Sequence, residues 1–251
     1  MLLAIDVGNT HIVTGLFFGD GAPTCWRFPT ELTMTEDQFA AMFFTLQEQA
    51  SIGQKPSRVV VASVSPSVNH MIERFSQKWL SCEPRFLTSQ SLPQMKISYE
   101  PSAAVGADRI ANALAAKKFY TLPALVVDFG TATTFDAIGA DGEYLGGSIL
   151  PGVEVSLEAL VSHTAKLPRI ELVPPKTAIG TTTVQSLQSG VVLGYAGAID
   201  ALTRAMREEL GGKATVVATG GIAPLFGPLC KEIQEVNPHL TLEGLRIFAE
   251  L

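Results

Sequence analysis

Twice in this chain an apolar run ends in Asp-x-Gly plus a hydroxyl or amide residue, then returns through a second apolar stretch. Leu2–Ile5 leads into Asp6-Val7-Gly8-Asn9-Thr10 and on to Ile12–Phe18. Leu125–Val127 leads into Asp128-Phe129-Gly130-Thr131 and on to Phe135–Ile138. Two apolar runs around a Gly/Asn turn read as a β-hairpin. A single Asp-x-Gly turn is common in proteins. Two copies, each placed straight after a strand and each opening its own half, predict two similar domains, 1–118 and 119–251. Any fold for this chain must begin each half with such a hairpin.

The rest of the pattern alternates strands and helices, which makes the fold class α/β. In the first half the second run ends at Gly19-Asp20-Gly21, and a third strand follows at Cys25–Phe28. Asp37–Gln49 is an amphipathic helix, Val59–Ser63 a buried strand and Val68–Trp79 a helix. Arg85–Leu87 and Met95–Ile97 are short strands, and Gly106–Tyr120 is an Ala-rich helix. In the second half Tyr144–Ile149 continues the sheet and Val153–Val161 is helical. Thr183–Leu210 is a long helix stopped by Gly211-Gly212. Val216–Thr219 is a strand, Leu225–Glu235 a helix, and Leu245–Ala249 a short strand or tail.

Composition narrows the function. With 251 residues, 47% of them hydrophobic and 17% charged, the chain buries a real core and is not disordered. A net charge of −6 argues against a nucleic-acid groove, which should be basic. It leaves room for a nucleotide held by backbone N–H groups and metal ions. The 3 cysteines form no C-x-x-C pair and the 4 histidines no H-x-x-x-H pattern. A disulfide framework and a His/Cys metal centre are therefore not expected, and the odd cysteine count suits a reducing compartment. The apolar start is interrupted by Asp6 without a basic region before it, and no run approaches a membrane span. The expectation is a soluble, cytoplasmic protein with neither membrane nor nucleic acid as partner.

An Asp at the end of a buried strand is costly unless a cation meets it. Two such carboxylates facing one cleft make a place for cations and, through them, phosphates. Glycines let backbone N–H groups come close to phosphate oxygens, and the hydroxyls of Thr10, Thr131, Thr133 and Thr134 add donors. That is the logic of phosphoryl transfer. A G-x-x-x-x-G-K-[ST] loop, a G-x-G-x-x-G after a strand and a G-x-S-x-G elbow are all missing.

The two Asp-x-Gly segments and Ala218-Thr219-Gly220-Gly221 resemble the nucleotide motifs of the actin/Hsp70/sugar-kinase superfamily. That resemblance implies two actin-like (ribonuclease H-like) α/β domains flanking a nucleotide cleft. Gly106-Ala107-Asp108-Arg109, Gly146–Gly152, Ala178-Ile179-Gly180 before Thr183, and Leu240–Leu245 narrow it. In order and spacing, over essentially the whole chain, the set is similar to type III pantothenate kinase. The resemblance implies ATP-dependent phosphorylation of pantothenate to 4′-phosphopantothenate, the first step of coenzyme A synthesis. It implies an ATP-phosphate segment of Asp6, Val7, Gly8, Asn9, Thr10, His11, Ile12 and Val13, with Asp6 holding Mg²⁺ through water. Asp128 matches the ligand of a monovalent cation, K⁺ or NH₄⁺, and Thr131 an ATP contact. Tyr99, Gly106, Ala107, Asp108, Arg109 and Thr183 match pantothenate contacts, with Asp108 as catalytic base. A homodimer is implied as well. The long helix agrees with that, since Gly190, Gly194, Gly197, Ala198 and Ala201 recur at near-helical spacing and would let another backbone come close.

Blander readings stand beside these. An Asp in a first helical turn suits the macrodipole without any catalysis. Arg109 reads equally as a surface ion pair, Tyr99 as a packed strand aromatic, and His11 as an exposed hairpin residue with no role of its own. Tyr99-Glu100-Pro101-Ser102 departs from the family's usual Tyr-x-Asn-Pro. The alternatives are another small-molecule kinase of the superfamily, for a sugar or acetate, and an ATP-binding regulatory accessory protein. A third carboxylate on a helix tip, Asp108, disfavours a pure scaffold.

Overall fold

The computed structural model describes all residues but Asp20 and Pro93. The turn expected at Gly19-Asp20-Gly21 thus lies partly outside the described residues. β1 (Leu2–Val7) and β2 (His11–Phe17) form the first hairpin, with Leu2 opposite Phe17 and Val7 opposite Ile12. β3 (Thr24–Pro29) pairs antiparallel to β2, while β4 (Arg58–Ser63) runs parallel to β1 and β5 (Pro84–Phe86) parallel to β4. The sheet order is β3-β2-β1-β4-β5.

Alternation sorts the residues of this sheet. Leu3, Ile5, Val7, Val59 and Val61 join Phe39, Phe43 and Phe75 in one core. Those aromatics come from α1 (Glu36–Gln49) and α2 (Pro66–Leu80). A capping box starts α1: the Gln38 N–H donates to Thr35 Oγ1 and the Thr35 N–H to Gln38 Oε1. Leu2, Ala4 and Asp6 alternate to the opposite face.

The second sheet repeats the plan. β6 (Ala124–Phe129) and β7 (Ala132–Ile138) form the hairpin, and β8 (Tyr144–Pro151) pairs antiparallel to β7. β9 (Thr215–Thr219) runs parallel to β6 and β10 (Glu235–Val236) parallel to β9. The order is β10-β9-β6-β7-β8, the same topology strand for strand. Leu125, Val127, Phe129, Phe135, Val216 and Phe226 share its core with Val192, Ala196 and Ile199. The two-sheet α/β architecture expected from the repeated hairpin is therefore present.

The compact units are residues 1–95, 99–115 and 239–251 on one hand, and 96–98 and 116–238 on the other. They differ from the expected division at 118/119 in one main respect: the chain's last helix belongs to the first unit. Leu240–Glu250 is α8, where the sequence reading placed a short strand or tail. Leu242, Leu245 and Ala249 bury one helical face, and α8 lies on β1, β2 and β4. Its Leu242 sits against Gly15, where an added Cβ would stand 2.9 Å from Cδ1.

The helix expected over Leu225–Glu235 is a second correction. Only α7 (Ala223–Phe226) and one 3₁₀ turn, Gly227–Leu229, form there, followed by β10. Pro228 lacks the N–H that a continuing helix needs. Met95–Ile97 yields a single bridge, Ile97 to Tyr144. The remaining helices follow the pattern: α3 (Ala107–Phe119), α4 (Val153–Ser162), and α5 (Thr183–Gln188) running through a π-helical turn, Ser189–Leu193, into α6 (Gly194–Glu209). No helix among the described residues is long and apolar enough to cross a membrane.

Candidate active site

Asp6 and Asp128 occupy the same place in their two sheets. Each is the fifth residue of the central strand, and each strand shows four buried residues, a half-buried Asp and a buried residue. Asp6 pairs with Val13 and Ala62, and Asp128 with Thr134 and Thr219. Both carboxylates therefore sit where an antiparallel hairpin and a parallel neighbour meet, on the face away from the main helical core.

In the first hairpin the Gly8 N–H donates to His11 O at 3.0 Å. Thr30, just past β3, fastens this loop: its hydroxyl donates to Gly8 O at 2.8 Å and its N–H to Thr10 O at 2.9 Å. Thr30 carried no signal in the sequence, because only pairing of β3 brings it there. Val7 and Ile12 are fully buried, so neither presents side chain or backbone at the surface of this hairpin. Asn9, Thr10 and His11 are exposed, and Val13 is half-buried.

In the second hairpin the Gly130 N–H donates to Ala132 O at 3.1 Å. Two distant glycines close in on it. Gly152 N–H donates to Thr131 O at 3.1 Å, and a Cβ there would stand 2.7 Å from Gly130 O. Gly220, at φ +96°, would place a Cβ 2.6 Å from Asp128 Oδ1. Only glycine accepts that conformation cheaply. Thr131 is exposed, as a ligand contact requires. Thr133 is not available as a phosphate donor: it is fully buried and its hydroxyl is hydrogen-bonded to that of Tyr195 at 2.7 Å. The Tyr195 hydroxyl donates to Pro151 O at 3.0 Å and so, with the Thr133 bond, ties α6 to β7 and β8.

Asp108 lies in the first turn of α3 in the first unit. Its Oδ1 accepts the Arg109 backbone N–H at 2.8 Å, so the carboxylate folds back over the helix start. Gly106 makes room for this, since a side chain there would meet that same oxygen. Burial raises the Asp108 pKa, while the Arg109 N–H and guanidinium pull it down. Arg109 itself is only 6% exposed, which removes the surface ion pair as its explanation. One turn on, Asn112 is fully buried and accepts the Thr241 hydroxyl of α8 at 2.8 Å. Gly244 of α8 packs on the Ala111 carbonyl. The last helix thus holds the Asp108 helix by a polar bond and a close backbone approach, neither visible in the local sequence.

Tyr99 is half-buried and directly follows residues 96–98, whose backbone bonds to Tyr144. Thr183 is exposed in the second unit, at the start of α5. The first unit therefore carries Asp6–Val13, Tyr99 and Gly106–Arg109, and the second carries Asp128, Thr131 and Thr183. An apolar cavity of about 330 Å³ beside α4 and α6, lined by Leu157, Leu160, Val191 and Tyr195 among others, contains none of these residues. The cysteines are free, and no group of three or more His, Cys, Asp or Glu among the described residues could hold a metal by itself.

Residues 2–205 match the family model of type III pantothenate kinase. The type III pantothenate kinase of Desulfatibacillum aliphaticivorans is 47% identical, over 98% of this chain and 97% of that protein. Among solved structures, a Campylobacter jejuni protein assigned to the Baf family of transcriptional activators superposes with a TM-score of 0.61 at 18% identity, covering 99% of this chain and 97% of that one. A Sinorhizobium meliloti protein described as a 2-dehydro-3-deoxygalactonokinase gives 0.61 at 12%, covering 100% and 96%. At such identities the structures share the fold. With the sequence match spanning the chain and two like hairpins at the head of like sheets, this protein belongs to the type III pantothenate kinase family of phosphotransferases.

Proposed function

We propose that this chain transfers the γ-phosphoryl group of ATP to the primary alcohol of pantothenate, giving ADP and 4′-phosphopantothenate for coenzyme A synthesis. The observation that carries the reading is the identical placement of Asp6 and Asp128 at the ends of two topologically equal central strands. On this reading the backbone of Gly8–His11 and of Gly130–Thr131 binds the phosphates. Asp6, through water, would hold Mg²⁺, and Asp128 would hold K⁺ or NH₄⁺. Oxygen donors beside glycine-lined backbone fit both ions. Bound there, the cations would offset the negative charge of the phosphates.

Asp108 accepts the proton of the pantothenate hydroxyl as its oxygen bonds to phosphorus and the bond to the ADP oxygen breaks. A carboxylate with a raised pKa is a better proton acceptor than an ordinary one. Arg109, buried beside it, orders anionic substrate charge, while Tyr99, Gly106, Ala107 and Thr183 contact pantothenate. Three free thiols fit a reducing, cytoplasmic setting.

The enzyme works as a homodimer on this reading. Gly190, Gly194 and Gly197 have no atom of their surroundings within 4 Å of an added Cβ, so the small-residue stripe does not serve the chain's own sheet. Val184 and Leu193 beside it are 42% and 40% exposed. A second copy of that face would cover it. Light scattering should give twice 26.7 kDa, and a single-chain mass at micromolar concentration overturns the dimer.

The deciding experiment for the activity is ADP release by purified protein with and without pantothenate, and with K⁺ replaced by Na⁺. Pantothenate-dependent, K⁺-stimulated release is expected. Equal release in the presence and absence of pantothenate overturns the reading.

A further inference from the structure

The segment that leads into Thr183 is fastened to the helix that follows it, by contacts unrelated to the hairpins. Ser189, 7% exposed at the start of the π-helical turn, donates its hydroxyl to Ala178 O at 2.6 Å. Gln185 accepts both the N–H and the hydroxyl of Thr181 at 3.0 and 2.8 Å. Gly180 lies so near the helix that a Cβ would stand 2.6 Å from the Gln185 carbonyl carbon and 2.7 Å from Ser186 Cα. The Ser186 N–H donates to Thr182 O at 2.9 Å, closing the turn that contains Thr183.

Those contacts act together. An i+4 side chain, Gln185, grips the segment from the helix's first turn. Ser189 reaches back from one turn further along, at the end of α5, and sets its hydroxyl against the loop. Thr183 is exposed, yet residues on both sides of it are tied down. Ordinary surface loops are looser, and a hydroxyl that must meet a substrate benefits from such fixing, because misplacement of a contact by about 1 Å can cost 100-fold in rate.

We propose that Gly180 and Ser189 are positioning residues for pantothenate: they latch residues 177–182 onto α5 and the π turn and so fix the Thr183 hydroxyl. The inference rests on Thr183 being a pantothenate contact, as read above. Neither Gly180 nor Ser189 touches the substrate.

The test uses the full chain with Ser189→Ala, Ser189→Val, Ser189→Thr and Gly180→Ala. Ala and Val remove the hydroxyl, and Val keeps the shape of Thr. For Ser189→Ala, Ser189→Val and Gly180→Ala the KM for pantothenate should rise about tenfold or more, with the KM for ATP within about twofold of wild type. Ser189→Thr should stay near wild type. Amide exchange at residues 183–186 should speed up in Ser189→Ala while the melting temperature moves little. A parallel rise of both KM values, or Thr and Val variants that behave alike, overturns the latch. If wild-type protein shows no pantothenate-dependent turnover, the pantothenate reading itself fails. Unchanged exchange in Ser189→Ala separately shows that no latch exists.

Discussion

The two hairpins share strand lengths, register and burial, yet their loops differ by one residue. Four residues separate the last paired positions Val7 and Ile12, and three separate Phe129 and Thr133. The longer loop is braced by the side chain of Thr30, just past β3, and the shorter one by two glycines from distant elements. The parallel neighbour differs as well. After β4 the chain continues through Val64, whose N–H donates to Val7 O, and enters α2. After β9 it turns at Gly220, which leaves the Asp128 carboxylate backed by bare backbone. A duplicated frame thus carries two dissimilar carboxylate surroundings. On the proposed reading, that dissimilarity suits two cations of different size and hydration rather than two equal sites.

The comparison breaks or sharpens under substitution. The largest effect should come from the carboxylate that has no counterpart in the second unit. Asp108→Asn should lower kcat by about 10²–10⁴ with nucleotide affinity retained; near-normal turnover of the folded variant would leave Asp108 a helix-start residue only. Next come the paired carboxylates. Asp6→Asn should raise the Mg²⁺ requirement about 10–100-fold and leave the K⁺ activation curve in place, and Asp128→Asn should do the reverse. Rate titrations against each ion check this, and identical responses would erase the distinction between the loops. Among the glycines, Gly220→Ala should destabilise by about 1–3 kcal/mol through its positive φ. Gly8→Ala, whose Cβ would lie 3.1 Å from His11 O without that strain, should lose under about 1 kcal/mol. Thermal melts in the opposite order would count against the bracing described here. Smallest is a pH effect. Protonated Asp108 cannot accept the substrate proton, so kcat/KM for pantothenate should fall as pH drops. Because burial raises its pKa, that fall should begin above the pH of an ordinary Asp, near about 3.9. An acid limb at or below that value would mean the burial is not felt in catalysis.

Much of this was legible beforehand. Asp6 and Asp128 stand out as candidates because an acid after four apolar residues is rare inside a sheet, and the repeat doubles the signal. Asp108 becomes a candidate base only through its place at a helix start together with the family resemblance. What brings Thr30 to Gly8, Gly220 to Asp128, and Asn112 to Thr241 is long-range pairing, and no local pattern encodes it. The closing helix was partly legible. Leu242, Leu245 and Ala249 have helical spacing, but a short apolar run near a chain end reads as strand or tail as easily. Pro228 was a plain stop signal within the helix expected over Leu225–Glu235. Thr133 reads in the sequence as a donor to ligand, because nothing there announces that it is buried against the Tyr195 hydroxyl.

The place of α8 has a consequence for how the molecule is made. Residues 116–238 are synthesised between the bulk of the first unit and the helix that completes it. At about 5–20 residues per second, a ribosome takes roughly 6–25 s to traverse that stretch. Throughout that time β1, β2 and β4 lack the helix that covers them, and Asn112 lacks Thr241. The first-made half of the protein is therefore the last to be finished, and the order in which the chain emerges favours a second unit that matures while the first waits for its final eleven-residue piece.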